Sequence, residues 1–418
     1  MPPIPRDKGP DSTLRLVIEG YTFISERCRR YRSDVFQTRL LLRRTICMRG
    51  EDAARIFYDT GRFQRAGAAP GRIIKTLFGK GGVQVLDDDA HLKRKLMIMS
   101  LMTPGSIKKL RDLMAGQWRT ALKRWENGRR IVLFDQVQEM LCRAVCAWAG
   151  VPLAEEEAAR RTRDIAGMIE GSGAVGPRHW QGRLARVRAE KWAEGLVEEL
   201  RSGRLDAAEG SALQVISTHR GADGRPLERT TAAVELLNIL RPTVAVARFV
   251  TFAAMALYEH PECLQRIRSK EEGYLEMFVH EVRRFYPFFP FVAARVRMEF
   301  EWKGYRFPRG TLVLLDLYGT NHDARLWDKP DEFRPERFRK WSGSAFNFIP
   351  QGGGNHYRNH RCPGEWITIE LMKDAVEFLA ESVAYDIPPQ DLRISMSRMP
   401  AIPRSRFVIS NVRKARFH

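Results

Sequence analysis

A chain of 418 residues, 44% hydrophobic and 29% charged, has the make-up of a folded protein with a sizeable core and not of a disordered tail or a fibre. No run reaches the ~18 uninterrupted apolar residues that span a bilayer; the best, residues 244–258, is broken by Arg248. The net charge of +20 is spread over short clusters such as Arg29-Arg30 and Arg43-Arg44, with no nucleic-acid-binding motif, so it points to solvated helix faces and not to nucleic acid.

In chain order, the opening MPPIPRDKGPDSTLRL has no apolar core behind its charges and does not read as a signal peptide, so the cytoplasm is the expected compartment. Residues 12–60 mix helical patterns with short β-branched runs. From about 88 to 280 helical periodicity dominates, residues 185–200 being an example. Residues 230–259 are apolar all round, as in a helix at the centre of a large protein, and Pro242 should bend it. Residues 271–286 read as another helix, stopped by Pro287 and Pro290. Short strands follow at 293–298, 300–302 and 311–317, then an irregular stretch at 323–361 and a last helix at 366–382. The expected fold is mainly α with a small β part, one structural unit over 1–418, with residues 1–11 and 413–418 as flexible ends.

Six cysteines, at 28, 47, 142, 146, 263 and 362, have no metal-ligand spacing and no dense disulfide pattern. Five read as inert thiols, and Cys142 and Cys146, one helical turn apart, as a buried pair. Cys362 differs. Residues 348–366 read FIPQGGGNHYRNHRCPGEW, a lone cysteine at the end of a glycine-rich loop directly before a helix. A helix N-terminus should lower the thiol pKa, and the glycines should let backbone approach a flat ligand. A buried cysteine beside a loop is the plain alternative. Glu281 and Arg284, three apart on one helix, can pair, and Arg337 follows in FRPERF. Arg241 stands in the middle of the apolar helix, where an unpaired charge is costly, so an internal salt bridge is one explanation for it.

Taken together these motifs resemble the cytochrome P-450 superfamily: a Glu-x-x-Arg pair, an aromatic-Pro-Glu-Arg-Phe segment and a Cys-x-Gly loop, in that order, within a likeness covering roughly residues 12–412. The resemblance implies haem b with Cys362 as the axial thiolate, Glu281, Arg284 and Arg337 as a structural triad, and propionate contacts from Arg295, His91 and Lys95. Two departures narrow the family. The cysteine loop has extra residues between Gly354 and His360, and the central helix reads Leu240-Arg241-Pro242-Thr243 without the usual adjacent acid and alcohol. With the run Phe78-Gly-Lys-Gly-Gly-Val-Gln84, these features resemble the bacterial fatty acid peroxygenases, a subgroup of α- and β-hydroxylases with a related alkene-forming decarboxylase.

That resemblance implies hydrogen-peroxide-dependent hydroxylation of fatty acids, the substrate carboxylate pairing with Arg241 and acting as general acid-base. Pro242 would shape the distal pocket, Phe78 would line the channel, and Gln84, a histidine in the alkene-forming member, would favour hydroxylation. Decarboxylation to terminal alkenes and a monooxygenase fed by a redox partner are the alternatives, along with a non-catalytic fatty acid binder. The subgroup needs no obligatory reductase.

Overall fold

The helices stack around one apolar rod, and the strands gather at one side of it. In a computed structural model that describes residues 4–126, 130–221 and 223–415, the rod is formed by the abutting helices Arg229–Ala245 and Ala247–Glu259. Nearly every residue from 232 to 257 is buried, because no face of either helix is polar. This is a helix long and apolar enough to cross a membrane, but 94% of its apolar window is buried inside the protein, which makes it a core helix. Pro242 lies inside the first segment, yet the ladder gives way at Val246, four residues later, where the N–H turns to Thr243 O at 3.1 Å. The interruption thus falls one turn beyond the residue expected to cause it.

Helices Leu133–Ala149, Glu155–Ser172 and Pro177–Arg201 pack against the rod on one side. Cys142 and Cys146 are buried in the first of these, as expected, and all six cysteines are free. Helix Tyr274–Phe285 and helix Glu365–Glu377, the latter extended by a wide turn at Phe378–Ser382, close another side.

The largest sheet runs Val35–Leu40, Arg43–Met48, Leu312–Asp316, Phe291–Val296 and Phe63–Gln64. Its second and third strands are parallel and the other neighbours antiparallel. Strand bounds fall within two residues of expectation, and the architecture is mainly α with a small β part. The chain ends differ from expectation where they are described. Ile4 is buried, Arg6 bridges Gln37, and Asp7 accepts from Arg27 Nε at 2.8 Å, so residues 4–11 are packed and not loose. Arg413 and Lys414 belong to strand Val408–Lys414. The other end positions, 1–3 and 416–418, lie outside the described residues.

Candidate active site

The loop before helix Glu365–Glu377 holds Cys362 by its own backbone, Cys362 N donating to Gln351 O at 3.1 Å. Gly352 and Gly354 take φ of 91° and 84°, and a Cβ on Gly353 would come within 2.7 Å of Ala345 O, so this bend admits little but glycine. The additional loop residues are pinned. Asn355 Oδ1 accepts from Tyr357 N at 2.8 Å, Asn359 Nδ2 reaches Tyr58 O at 3.0 Å, and His356 meets Glu365 at 2.9 Å. Beneath the sulfur, Gln351 Nε2 lies 3.6 Å from Cys362 Sγ, and its Oε1 is held by Arg283. Arg283 also pairs with Glu365.

The Gly364 N–H at the helix start acts on the thiol in the direction the sequence suggests, but it is outweighed. Burial, and then the charge of Glu365, push the Cys362 pKa up; Lys95, the Gly364 N–H and Arg283 only oppose that rise. A bound metal would have to carry the thiolate.

Around this loop lie cationic groups that the protein does not neutralise. Arg65 is half-buried and donates to Ala293 O at 2.6 Å, and desolvation of its guanidinium lowers its pKa. Lys95 reaches only Arg361 O, and burial lowers its pKa to about 8. His91 stacks on His360 at 3.8 Å; burial brings the His91 pKa down to about 4 and holds His360 well below its ordinary value. Among the described residues, no carboxylate pairs with Arg65 or Lys95.

Arg295 is not brought into this group. Its neighbours Ala294 and Val296 face the core, so alternation along the strand turns Arg295 to the other face. There it donates to Gly67 O (2.6 Å) and Gly310 O (2.7 Å). Arg65, just past the paired strand Phe63–Gln64, is an arginine of this sheet that lies near His91 and His360.

Opposite the loop, Arg241 projects from the central helix. It is buried, with Nη1 on Leu77 O at 2.6 Å, Nη2 on Asn238 Oδ1 at 3.0 Å, and Nε without any partner. Burial, and then repulsion from Arg186, lower its pKa to about 9, against the pull of Glu235 and Cys362. Among the described residues no carboxylate forms a salt bridge with Arg241. Glu235, the nearest acid, is already engaged by Arg94 Nη1 (2.6 Å), Val83 N (2.8 Å) and Asn238 Nδ2 (3.1 Å), and burial raises its pKa.

Gln84 sits in the turn Val83–Val85 and accepts from Asn238 Nδ2 at 3.3 Å, which ties it to the residue that also holds Arg241. Phe78 is half-buried at the end of the wide turn Ile74–Phe78, next to Leu77. Arg284 makes two bonds to Glu281 (2.7 and 2.8 Å), and Arg337 Nε reaches the same carboxylate at 3.1 Å.

Sequence reasoning missed Arg65, Asn238, Gln351 and Arg186. Asn238 carried a usable signal, since it lies three residues before Arg241 on the same helix face. Arg65 and Gln351 carried none, because their partners lie far off in the chain or within an irregular loop.

A flat, dianionic ligand with an iron at its centre fits these residues. A Cβ on Gly364 would meet no protein atom within 4 Å, whereas Tyr58 Oη, 3.0 Å from a Cβ built on Gly352, is buried without a partner. Unneutralised Arg65 and Lys95 supply the counter-charge for two carboxylates, and Cys362 the metal ligand.

Comparison with known proteins points the same way. The family model described as Cytochrome P450 matches residues 255–377. Rhazimal synthase from Alstonia scholaris is 30% identical over 40% of this chain, an alignment that spans only 38% of that protein. A putative cytochrome P450 137 from Mycobacterium tuberculosis is 24% identical over 78% of this chain and 72% of its own length. Among solved structures, Cytochrome P450SP alpha (CYP152B1) in complex with (R)-ibuprophen is 49% identical with a TM-score of 0.95, covering 97% of this chain and 99% of that one. Cytochrome P450EX alpha (CYP152N1) with myristic acid is 46% identical with a TM-score of 0.97, covering 99% of this chain and 100% of that one. A variant of cytochrome P450 OleT bound to arachidonic acid is 37% identical with a TM-score of 0.97, and both chains are covered completely. With its cysteine loop and Glu-Arg-Arg triad in place and such identities over its full length, the chain belongs to the cytochrome P450 family of haem-thiolate oxidoreductases, beside the CYP152 members.

Proposed function

We propose that this chain oxidises fatty acids next to their carboxyl group, with hydrogen peroxide as the oxidant and hydroxy acids as the main product. The observation that carries the reading is Arg241, a buried guanidinium with one donor unpartnered and no acid beside it. Burying a cation without a counter-ion is unfavourable, and the carboxylate of an incoming lipid supplies the missing charge. The solved relatives with myristic and arachidonic acid support that choice of ligand.

Cys362 would hold haem b through its sulfur, with Arg65, Lys95 and His91 on the propionate side. When bound, the haem supplies the oxygen-transfer chemistry, activated by electron donation from the thiolate. Arg241 holds the substrate carboxylate and thereby fixes its first carbons in place. Asn238 and the Leu77 carbonyl aim the guanidinium, and Gln84 leans on Asn238. Peroxide needs a group to take one proton and return it on the other oxygen. Glu235 is committed elsewhere, and Pro242 has no N–H to offer, so the carboxylate oxygen held by Arg241 is the base in reach. Gln84 cannot act as a cationic acid in the way a histidine can, which favours hydroxylation over alkene formation. A cytoplasmic location belongs to the same proposal.

The test is incubation of the haem-loaded protein with myristic acid and hydrogen peroxide, without NADPH or reductase, followed by mass spectrometry. Hydroxy acids are expected, and Arg241→Ala should lose most of them. Turnover only with reductase and NADPH would replace this reading with a conventional monooxygenase, and terminal alkenes as the main product would replace hydroxylation.

A further inference from the structure

Two guanidiniums meet on one carbonyl. Arg241, from the central rod, donates to Leu77 O at 2.6 Å, and Arg186, from helix Pro177–Arg201, donates to the same oxygen at 3.0 Å. Like charges that share one acceptor in a buried place repel, and after burial it is Arg186 that lowers the Arg241 pKa. Such a pair persists only if each partner is held from elsewhere, and it favours the arrival of a counter-charge.

Arg186 is held. It is fully buried, and its guanidinium lies against the turn that carries Leu77, where a Cβ on Gly79 would come within 2.1 Å of Arg186 Nη2. Gly79 also takes φ of 84°, so that close approach and the backbone both call for glycine. Arg186 Nε donates to Glu190 Oε1 at 2.8 Å, while Nη2 has no partner. The charge is therefore unevenly covered. Glu190 lies one turn along the helix with its side chain 31% exposed, where water screens it, and the Nη end of Arg186 reaches the carbonyl it shares with Arg241.

The balance of charge in this corner has the same sign. Arg94 is matched by Glu235 and Arg186 by Glu190, but Arg241 is matched by no carboxylate among the described residues. One positive charge is left over, and the two unpartnered nitrogens, Arg241 Nε and Arg186 Nη2, are both buried.

We propose that Arg186 is a positioning and specificity residue of the carboxylate site, which raises the positive potential at Arg241 and makes the site select ionised headgroups over neutral ones on the same alkyl chain. The inference rests on the carboxylate reading of Arg241 and deepens it. A carboxylate bound at Arg241 relieves the repulsion between the two guanidiniums, so its binding gains from both although Arg241 alone need touch it. By donating to Leu77 O, Arg186 also weakens that carbonyl's hold on Arg241 and leaves more of the fork for the ligand. An alcohol headgroup carries no charge with which to relieve the repulsion.

The test is calorimetric titration of the haem-loaded protein with myristic acid and with myristyl alcohol, without peroxide. Arg186→Gln should bind the acid about tenfold more weakly and the alcohol as the parent does. Arg186→Lys keeps the charge and should recover most of the acid affinity. Glu190→Gln removes the screened counter-charge and leaves Arg186 in place, so it should bind the acid about twofold more tightly at low salt, a gain that high salt removes. Parallel losses of acid and alcohol in Arg186→Gln would mean that Arg186 only braces the turn at Leu77, and the proposal falls. It falls also if Arg186→Lys binds the acid no better than Arg186→Gln, or if Glu190→Gln binds it no more tightly than the parent. Arg241→Ala is titrated beside them. Should it lose the acid while Arg186→Gln binds like the parent, only the role of Arg186 fails; should neither lose it, the carboxylate reading fails as well.

Discussion

The guanidinium of Arg241 spends two donors on uncharged oxygens, Leu77 O and Asn238 Oδ1, and leaves Nε bare. Neither acceptor offsets the cost of burying a cation, whereas a carboxylate does both that and the positioning. Its value of about 9 still leaves it charged at neutral pH. Arg241→Ala should therefore lower kcat/KM for the fatty acid by roughly 100-fold or more. Arg241→Lys keeps the charge but not the planar fork, and should fall between the two. Substrate titration followed by the haem absorbance shift reads affinity separately from turnover, and unchanged affinity in Arg241→Ala would remove the carboxylate contact. Arg241 could be read from sequence because a lone cation in an apolar helix is an anomaly in one dimension. Arg65 could not, since nothing before folding sets it beside His360, almost three hundred residues away.

Elements place these side chains through a few buried polar joints. Glu281 is fully buried and receives Arg284, Arg337 and the Arg334 N–H, tying helix Tyr274–Phe285 to the loop that precedes the cysteine segment. Glu281→Gln strands two arginines without a counter-charge and should cost about 3–5 kcal/mol, seen as a lower melting temperature and poor haem retention. Such a joint was legible because Glu-x-x-Arg is a local helical pattern. The break at Val246 was not, because the position of a kink depends on which carbonyls neighbouring helices leave room for.

A second joint carries a pH dependence. Asp316 begins helix Leu317–Asn321 by accepting from Gly319 N at 2.7 Å, and burial raises its pKa from 3.8 to about 7. The folded state then binds the proton more tightly than the unfolded chain does, so stability is fullest below the unfolded value and falls as pH rises through the folded one. Between pH 5 and 8 the parent should lose about 2 kcal/mol relative to Asp316→Asn, which cannot ionise. Urea denaturation of both proteins at the two pH values measures it, and parallel losses would rule Asp316 out as the source.

At the scale of the whole molecule, cationic groups converge on one interior volume from distant parts of the chain: Arg65 beyond the first sheet strands, Lys95 from helix Asp88–Met99, and Arg241 from the central rod. None has a carboxylate partner among the described residues, although Arg94 and Arg283 nearby both have one. Nearly all the other buried charge in the protein is paired, so this volume is organised around a charge that the chain itself does not contain. The elements could be read in one dimension, but this convergence could not, because it is a property of the packed helices. Removing the haem should leave the cations facing one another. The apoprotein should melt lower than the haem-loaded protein by about 5 °C or more, the shift expected for a ligand present at a thousand times its dissociation constant. Added salt should narrow that gap by screening the repulsion in the apoprotein. Calorimetry of the two forms at low and high salt measures both effects. Equal melting temperatures would mean that the cations are satisfied without the cofactor, and a gap indifferent to salt would assign it to lost apolar contact and not to charge.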